Sequence, residues 1–263
     1  MVEALTPEKR AVHAFWNASP CGTTLTDADP GSARFFSEVE TRRYEIEPWI
    51  PRFADFEGAR GKRLLEIGIG LGTDLVRFGR AGAQLTGVDL TERSIELVAR
   101  RLELEGLQSD LRVADAERLP FADDSFDRVY SWGVLHHTPD TARAVREAVR
   151  VLRPGGRLCL MLYGRRSWVY AGFWIRFALL RARPWRTPAW VMANHNESQG
   201  TKAFSRRRMR AMVEGLSDIR VDPIATPYDR RYGGPLVRLT GDRFGWHVAI
   251  RACKPEHSGQ PGV

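Results

Sequence analysis

The stretch from Leu64 to Asp74, LLEIGIGLGTD, decides the fold. Its first half is apolar, like a buried strand, and a helical pattern begins directly after it at Thr73. Between the two lie three alternate glycines, Gly68, Gly70 and Gly72. A strand, a glycine turn and a helix N-terminus form a cradle for a nucleotide-like ligand, because the glycines let the ligand approach backbone N–H groups. The sequence therefore predicts a ligand site at this turn.

A second strand pattern follows the helix and ends in Asp89, 21 residues after Gly68. An acid at this point is placed to accept hydrogen bonds from ribose hydroxyls. A nicotinamide-dependent dehydrogenase would show the same two features, but its glycines have the spacing G-x-G-x-x-G. Here the pattern is E-x-G-x-G-x-G beginning at Glu66, with no glycine three places after Gly70. The spacing therefore argues against a dehydrogenase.

This E-x-G-x-G-x-G pattern resembles the first motif of the class I S-adenosylmethionine (SAM)-dependent methyltransferases. Three later segments resemble the next motifs of the family in the same order: residues 110–121, 124–137 and 151–158. Together the four motifs cover about residues 63–163, and they are similar to the small-molecule "type 11" branch. The resemblance implies a SAM-dependent methyltransferase with S-adenosyl-L-methionine as its cofactor.

The resemblance also implies which residues hold the cofactor. Glu66 is expected to orient the methionine end, directly or through water, with a turn contact as its alternative role. Asp115 is expected to meet the adenine amino group, and the loop after Trp132 is expected to pass beneath the sulfonium. The full set of expected cofactor residues is Glu66, Gly68, Gly70, Gly72, Thr73, Asp89, Leu90, Asp115, Ala116 and Trp132.

Strand and helix patterns alternate at short intervals after residue 62, which predicts an α/β fold with a parallel sheet. Strands are expected near residues 63–68, 84–89, 110–114, 126–132, 156–163, 219–221 and 246–251. Helices are expected near residues 73–80, 92–105, 140–152 and 206–213. We predict a Rossmann-like, seven-stranded, mostly parallel sheet with helices on both faces, whose last strand is antiparallel as in the family.

The chain divides into three parts by pattern. Residues 1–60 are expected to form an N-terminal helical cap over the cofactor, and residues 61–254 the methyltransferase domain. Residues 164–204 interrupt the domain after its fifth strand, and an insertion at this place commonly forms a lid over the acceptor. The polar tail, residues 255–263, is expected to be disordered.

Two adjacent histidines, His136 and His137, follow the fourth predicted strand beside the expected methyl donor. A general base is needed only if the acceptor keeps its proton at neutral pH. Both histidines are candidates for this catalytic role, with His137 preferred, and capping of the helix that begins near Pro139 is the alternative. His195 in the insertion is a further candidate, for which an ordinary loop position is the alternative.

Composition narrows the cellular setting. Three cysteines, Cys21, Cys159 and Cys253, lie far apart, which argues against a disulfide framework and for a reducing, cytoplasmic compartment. We expect no metal ion, because no His/Cys group has the spacing of zinc ligands. The N-terminus lacks the apolar core of a signal peptide, and no apolar run has the roughly 18 residues that span a bilayer.

Charge is distributed unevenly along the chain. Residues 1–163 hold 22 Lys/Arg and 25 Asp/Glu, whereas residues 165–210 hold 11 and 1. This basic, aromatic segment is expected to be an ordinary lid, a peripheral contact with an anionic membrane, or a nucleic-acid surface. Nucleic acid is disfavoured, because Ile175, Leu179 and Leu180 suit lipid or an apolar acceptor better. The oligomeric state stays open.

Two other types of methyltransferase are disfavoured by absent motifs. Enzymes that methylate amino groups of adenine or glutamine carry an Asn/Asp-Pro-Pro-Tyr motif where this chain has Ser131 to Val134, and cytosine C5 enzymes need a cysteine near that loop. We therefore expect a SAM-dependent methyltransferase for a small or lipid-like acceptor with an apolar portion. A methyltransferase for a membrane-dissolved quinone or lipid is one alternative, and a non-catalytic SAM-binding protein is another.

Overall fold

A seven-stranded sheet forms the centre of the computed structural model, which describes residues 5–256. The strands are β1 (Arg63–Ile67), β2 (Gln84–Asp89), β3 (Ser109–Val113), β4 (Phe126–Trp132), β5 (Leu152–Tyr163), β6 (Ser217–Ile224) and β7 (His247–Cys253). Their order across the sheet is β3-β2-β1-β4-β5-β7-β6, and β7 runs antiparallel to both of its neighbours, β5 and β6. The predicted fold, including the antiparallel last strand, is confirmed.

The helices of the described chain cover both faces of this sheet. They are α1 (Pro7–Ala18), α2 (Ala33–Ile46), α3 (Ile50–Ala54), α4 (Thr73–Arg80), α5 (Glu92–Glu105), α6 (Thr141–Val151), α7 (Trp168–Phe177), α8 (Pro188–His195), α9 (Arg206–Met212), α10 (Pro227–Gly233) and α11 (Leu236–Thr240). Successive residues of β5 alternate between two buried apolar clusters, because side chains of a strand point to opposite faces. Helices α4 and α5 belong to one cluster, and α6 and α9 to the other.

All seven strands lie where they were predicted, but β6 is longer than residues 219–221, and β5 begins at Leu152 instead of near residue 156. Leu152 pairs with Phe126 of β4, and the backbone N–H of Gly155 donates to the carbonyl of Lys254. These pairings extend the strand through a Pro-Gly-Gly sequence that locally favours a turn. Helix α9 begins after Ser205, whose side chain accepts from the N–H of Arg208 and caps the helix.

Three short helices, α3, α10 and α11, were not predicted, and the bounds of α7 and α8 within the insertion were not predicted either. Helix α10 packs against α7, and the backbone N–H of Trp168 donates to the Asp229 carboxylate at 3.1 Å. The helices of the insertion are therefore backed by the connection between β6 and β7. The predicted disordered tail lies largely outside the described residues.

No helix within residues 5–256 is long and apolar enough to cross a membrane.

Candidate functional site

A cavity of about 530 Å³ opens at the edge of the sheet where the parallel strands end. Ligands of open α/β sheets bind at this edge. Helices α1, α2, α7 and α10 complete its walls. Nine of the ten residues that the sequence assigned to the cofactor line this cavity: Glu66, Gly68, Gly70, Thr73, Asp89, Leu90, Asp115, Ala116 and Trp132. The tenth, Gly72, is not part of the lining.

The glycine turn between β1 and α4 has the backbone that its sequence predicts. Gly68, Gly70 and Gly72 all have positive φ values, which favour glycine. A Cβ on Gly70 would meet no atom of the described chain within 4 Å, so this backbone is open to the cavity. A Cβ on Gly72 would instead crowd Val98 of α5, so this glycine serves helix packing. The turn is thus shaped so that a ligand can approach Gly70 closely.

Asp89, at the end of β2, is held by three protein donors. Its Oδ2 accepts from the N–H of Gly70 at 3.1 Å, and its Oδ1 accepts from the N–H and the hydroxyl of Thr91 at 3.0 and 2.8 Å. A carboxylate has about four acceptor positions, so it retains capacity for a ligand hydroxyl. Burial raises the pKa of Asp89 above its usual range. The position suits the predicted ribose contact.

Glu66, on β1, is buried, and its Oε2 has no hydrogen-bond partner among residues 5–256. Burial, followed by the nearby negative charge of Asp74, raises the pKa of Glu66 well above its ordinary value. An unpartnered buried carboxylate calls for a cation or a hydrogen-bond donor. The ammonium group of a SAM methionine moiety has the required charge, so this residue fits the cofactor.

Asp74, at the start of α4, anchors α2 to the sheet. Its carboxylate accepts from Arg43 at 2.8 Å, from the Tyr44 hydroxyl at 2.8 Å and from the Tyr130 hydroxyl at 2.9 Å. These donors satisfy a carboxylate that is almost completely buried. The network places Arg43 and the C-terminal end of α2 in the cavity wall.

Asp115, after β3, forms an ion pair with Lys9 of α1 at 2.6 Å, and the same ammonium contacts Glu117 at 2.6 Å. Its Oδ1 accepts from the N–H of Glu117 at 2.9 Å. A ligand amino group that binds the Asp115 carboxylate therefore shares this carboxylate with the ammonium group of Lys9. The predicted contact between Asp115 and adenine remains a prediction, and Lys9 of α1 already contacts the same side chain.

Glu47 and His247 were not predicted as site residues, yet both line the cavity beside Trp132. The Glu47 Oε1 accepts from the Trp132 indole at 3.1 Å and lies 3.2 Å from His247 Nδ1. Burial opposes ionisation of Glu47, but contacts with His247 and the charge of Arg43 outweigh it and lower its pKa. Glu47 follows α2 and His247 begins β7, so both lie outside residues 63–163, which contain the four motifs. The motifs therefore could not predict them.

The two candidate histidines occupy a short 3₁₀ turn, Leu135–His137, but only His137 lines the cavity. His136 is fully buried and packs against Tyr163 with ring centroids 3.6 Å apart and the rings tilted by 31°. Neither of its ring nitrogens has a hydrogen-bond partner in the described chain. The alternative role as helix cap is wrong, because the side chain of Asp140 caps α6. We therefore keep only His137 as a catalytic candidate.

His137 is enclosed by the insertion that follows β5. Its Nδ1 lies 2.9 Å from the Thr201 hydroxyl and 3.0 Å from the Ser198 hydroxyl, and its Nε2 lies 3.4 Å from Glu197 Oε2. Burial, with a smaller effect of the Lys202 charge, lowers the pKa of His137 to about 3. The imidazole is therefore neutral at neutral pH.

Glu197 is the acidic residue that the sequence analysis missed. It lines the cavity and accepts a hydrogen bond from the Tyr163 hydroxyl at 3.0 Å. Its backbone φ is 45°, a left-handed conformation that is unfavourable for a residue with a side chain. A sequence signal was present, since Glu197 is the single acidic residue among residues 165–210.

His195, the other histidine of the insertion, ends α8 and does not lie in the predicted loop. It stacks on Phe177 with ring centroids 4.5 Å apart and lies away from the cavity wall. Within the described chain, His136, His137 and Glu197 are the group whose potential metal-ligand atoms lie within 4.8 Å of one another. The spacing argument against a metal did not include this arrangement, because Glu197 is distant in sequence.

Comparison with known proteins agrees with this geometry. Residues 65–160 match a family described as a methyltransferase domain. Methyltransferase GfsG of Streptomyces halstedii is 39% identical over 135 residues, which cover 50% of this chain and 47% of that protein. A ubiquinone biosynthesis O-methyltransferase of Aromatoleum aromaticum is 33% identical over 159 residues, which cover 55% of this chain and 67% of that protein.

A solved structure shares the fold across nearly the whole chain. Geranyl diphosphate C-methyltransferase of Streptomyces coelicolor, in complex with Mg²⁺, geranyl diphosphate and S-adenosyl-L-homocysteine, superposes with a TM-score of 0.64 at 20% identity. The superposition covers 95% of this chain and 98% of that one. The chain belongs to the class I SAM-dependent methyltransferases, in the "type 11" branch. It spans less than half the length of the first two curated relatives that it matches, 47% and 38%.

Proposed function

We propose that this protein transfers the methyl group of SAM to a small acceptor with an apolar portion. The observation that carries the proposal is one cavity lined both by the expected cofactor residues and by a group of aromatic side chains. Glu66, Gly70 and Asp89 belong to the first set. The aromatic residues of the second set are Tyr163, Phe173, Tyr228, Tyr232 and Trp246, of which Tyr163 stacks on Trp246 and Phe173 contacts Tyr232.

The chain's own residues have separate tasks in this proposal. Asp89 and Glu66 hold the ribose and ammonium ends of the cofactor, which supplies an activated methyl group on sulfur. The aromatic side chains bind the apolar acceptor, exclude water and orient the nucleophile, and orientation alone contributes strongly to the rate of a two-substrate reaction. Helices α1 and α2 close the cofactor end through Lys9 and Arg43.

Isothermal titration tests the cofactor half of the proposal. S-adenosylhomocysteine is expected to bind and NAD is not, because the glycine turn lacks the dinucleotide spacing. Incubation with labelled SAM and an extract of the protein's native cells tests the transfer. Binding without any labelled product would favour the non-catalytic alternative, and binding of NAD alone would contradict the proposal.

A second candidate function is methylation of an acceptor dissolved in a membrane. Eight of the ten large apolar side chains exposed among the described residues belong to α7, α8, α10, α11 and the loops beside them: Ile175, Leu179, Leu180, Trp185, Trp190, Tyr228, Leu236 and Leu239. We call these residues the apolar face. Arg176, Arg181, Arg183 and Arg186 lie in the same segments, and apolar groups beside arginines suit an anionic bilayer. The same helices line the cavity through Phe173 and Tyr232.

A further inference from the structure

The hydroxyl group of Thr201 determines which nitrogen of His137 carries hydrogen. Thr201 donates its single hydroxyl hydrogen to the carbonyl of Ser198 at 2.6 Å. Toward His137 Nδ1, 2.9 Å away, the threonine oxygen is therefore an acceptor. The Ser198 hydroxyl at 3.0 Å is able to accept from the same N–H group. His137 thus has its hydrogen on Nδ1, inside the protein.

The other nitrogen, Nε2, consequently presents a lone pair, because a neutral imidazole has only one N–H group. This lone pair faces Glu197 Oε2 at 3.4 Å. Two acceptor atoms at this separation repel each other when Glu197 is ionised, and they attract when one proton lies between them. The pair is therefore arranged to take up a proton.

Glu197 has two further properties of a proton acceptor. Its side chain is 36% exposed, yet desolvation by the surrounding cavity wall raises the pKa of its carboxyl, although a hydrogen bond from Tyr163 acts in the opposite direction. A raised pKa brings a carboxylate closer to neutral pH, where a general base is most effective. The backbone of Glu197 has the left-handed conformation that is unfavourable for a residue with a side chain, and such strain is concentrated at functional sites.

We propose that the acceptor is a hydroxyl compound, and that Glu197, with His137 beside it, takes the hydroxyl proton during transfer. This inference rests on the proposed methyl transfer. The acceptor oxygen forms the new O–C bond, the C–S bond breaks with its electron pair going to sulfur, and the hydroxyl proton passes to Glu197 Oε2. There it is shared with His137 Nε2 until it is released to solvent. Thr201 is a positioning residue, because it acts through His137.

An amine acceptor fits the site less well. Glu47 and Glu197 both line the cavity, and carboxylates beside an amine stabilise its protonated form, which has no lone pair for attack. A hydroxyl group is neutral and needs only one proton acceptor in reach. The acceptor class is therefore an alcohol, phenol or enol attached to an apolar body.

Nuclear magnetic resonance tests the arrangement without any need for activity. The probe is ¹⁵N-histidine-labelled protein saturated with S-adenosylhomocysteine, and His137→Gln assigns the signal. We expect a neutral His137 with hydrogen on Nδ1 at neutral pH, retained in Thr201→Ser. The double variant Thr201→Val with Ser198→Ala removes both hydroxyl acceptors, and its signal should shift toward the Nε2–H form. An Nε2–H tautomer or an imidazolium in the unaltered protein would overturn the inference. So would a change of the signal on addition of EDTA, which would indicate a metal ligand.

The methyl group itself reports the acceptor atom. Incubation of [methyl-¹³C]SAM with the protein and an extract of its native cells gives a product whose ¹³C shift distinguishes O-, N-, C- and S-methyl groups. An O-methyl product is expected, and any other methyl product refutes the hydroxyl assignment while leaving methyl transfer intact. Cofactor binding with no methylated product refutes the proposed function itself, so the two failures are distinguishable.

Glu197→Gln tests the proton transfer on that product. Glutamine keeps the size and accepts from Tyr163, but it cannot take the proton, so turnover is expected to fall about 10²–10⁴-fold with unchanged affinity for S-adenosylhomocysteine. The residual rate of the variant should rise with pH, because a larger fraction of the acceptor is then ionised. It should continue to rise in the pH range where the rate of the unaltered enzyme is already constant. Glu214→Gln, after α9 and outside the cavity wall, is the matched control. A loss below tenfold, or a residual rate independent of pH, would overturn the role of Glu197.

Discussion

Gly68 of the glycine turn lies so close to Val134, in the loop after β4, that a Cβ at Gly68 would overlap both methyl groups of that valine. Val134 lines the cavity, and Gly68 has a φ of 78°. The cofactor turn and the loop beneath the expected methyl donor are therefore in direct contact. A change at this glycine acts on both ends of the site at once.

We predict that Gly68→Val abolishes binding of S-adenosylhomocysteine, because the valine cannot fit without moving the turn or the Val134 loop. Gly70→Ala is the milder variant, because its Cβ meets no protein atom and extends into the open cavity, where the cofactor is expected to bind. We expect the affinity for S-adenosylhomocysteine to fall by at least about 1.4 kcal/mol, a factor of ten. Gly106→Ala is its control: φ is also positive and the surroundings open, but the residue ends α5. Titration calorimetry on folded protein measures all three. Normal binding by Gly68→Val would show that the cradle is elsewhere.

Asp89→Ala is expected to weaken cofactor binding by roughly 1–3 kcal/mol, the range for charge-assisted hydrogen bonds that are left unmade. The variant also frees the N–H of Gly70 and the Thr91 hydroxyl, so part of the loss reflects a looser turn. Asp89→Asn retains the size and one acceptor oxygen and should lose less. An unchanged dissociation constant in Asp89→Ala would remove this residue from the site.

Glu66 is expected to release a proton when the cofactor binds. Burial raises its pKa in the free protein, so the free site retains a proton that an exposed carboxyl would lose. A ligand ammonium favours the ionised form and lowers that pKa, so affinity rises with pH until Glu66 is ionised without ligand. Calorimetry in buffers of different ionisation enthalpy counts the released proton, and Glu66→Gln should abolish the buffer dependence. Buffer-independent heats in the unaltered protein would contradict this role.

His137→Ala should lower turnover by about 10²–10⁴-fold and leave affinity for S-adenosylhomocysteine nearly unchanged, because the imidazole acts on the acceptor side of the cavity. With a pKa of about 3, His137 alone is a weak base, so its contribution depends on Glu197. The double variant His137→Ala with Glu197→Gln should therefore lose little more than either single variant. The initial rates of the two single variants and of the double variant measure this coupling. If the fold-losses of the two single variants multiply in the double variant, the two residues act independently.

The sequence predicted the cofactor end of the site far better than the acceptor end. Glu66, Gly70 and Asp89 belong to one compact strand–turn–helix unit, whose spacing is dictated by the backbone that it must adopt. Glu47 and Glu197 reach the same cavity from two separate connections, and nothing in their local sequence encodes that meeting. Periodicity located every strand, but contacts between distant segments depend on how the helices pack.

The sequence singled out Ile175, Leu179 and Leu180, which are exposed, but it could not predict which aromatic residues of the insertion are exposed. Trp168 and Trp174 are part of the basic, aromatic segment, but their indoles donate to Thr240 and to the carbonyl of Arg186. Leu180 and Trp185, by contrast, are 76% and 74% exposed. An apolar composition alone does not predict which side chains of a helix are covered by neighbouring elements and which are exposed.

The apolar face gives the last prediction. If it docks on a membrane, the protein should float with vesicles that contain anionic lipid and much less with neutral vesicles. The reason is that each basic residue near an anionic surface contributes about 1 kcal/mol of attraction. Leu180→Ala with Trp185→Ala should reduce flotation, whereas Leu104→Ala, exposed on α5, should leave it unchanged. Flotation that survives the double substitution would mean attraction by charge alone, without insertion. An absence of flotation at low salt with both lipids would leave this segment as a lid over the cavity.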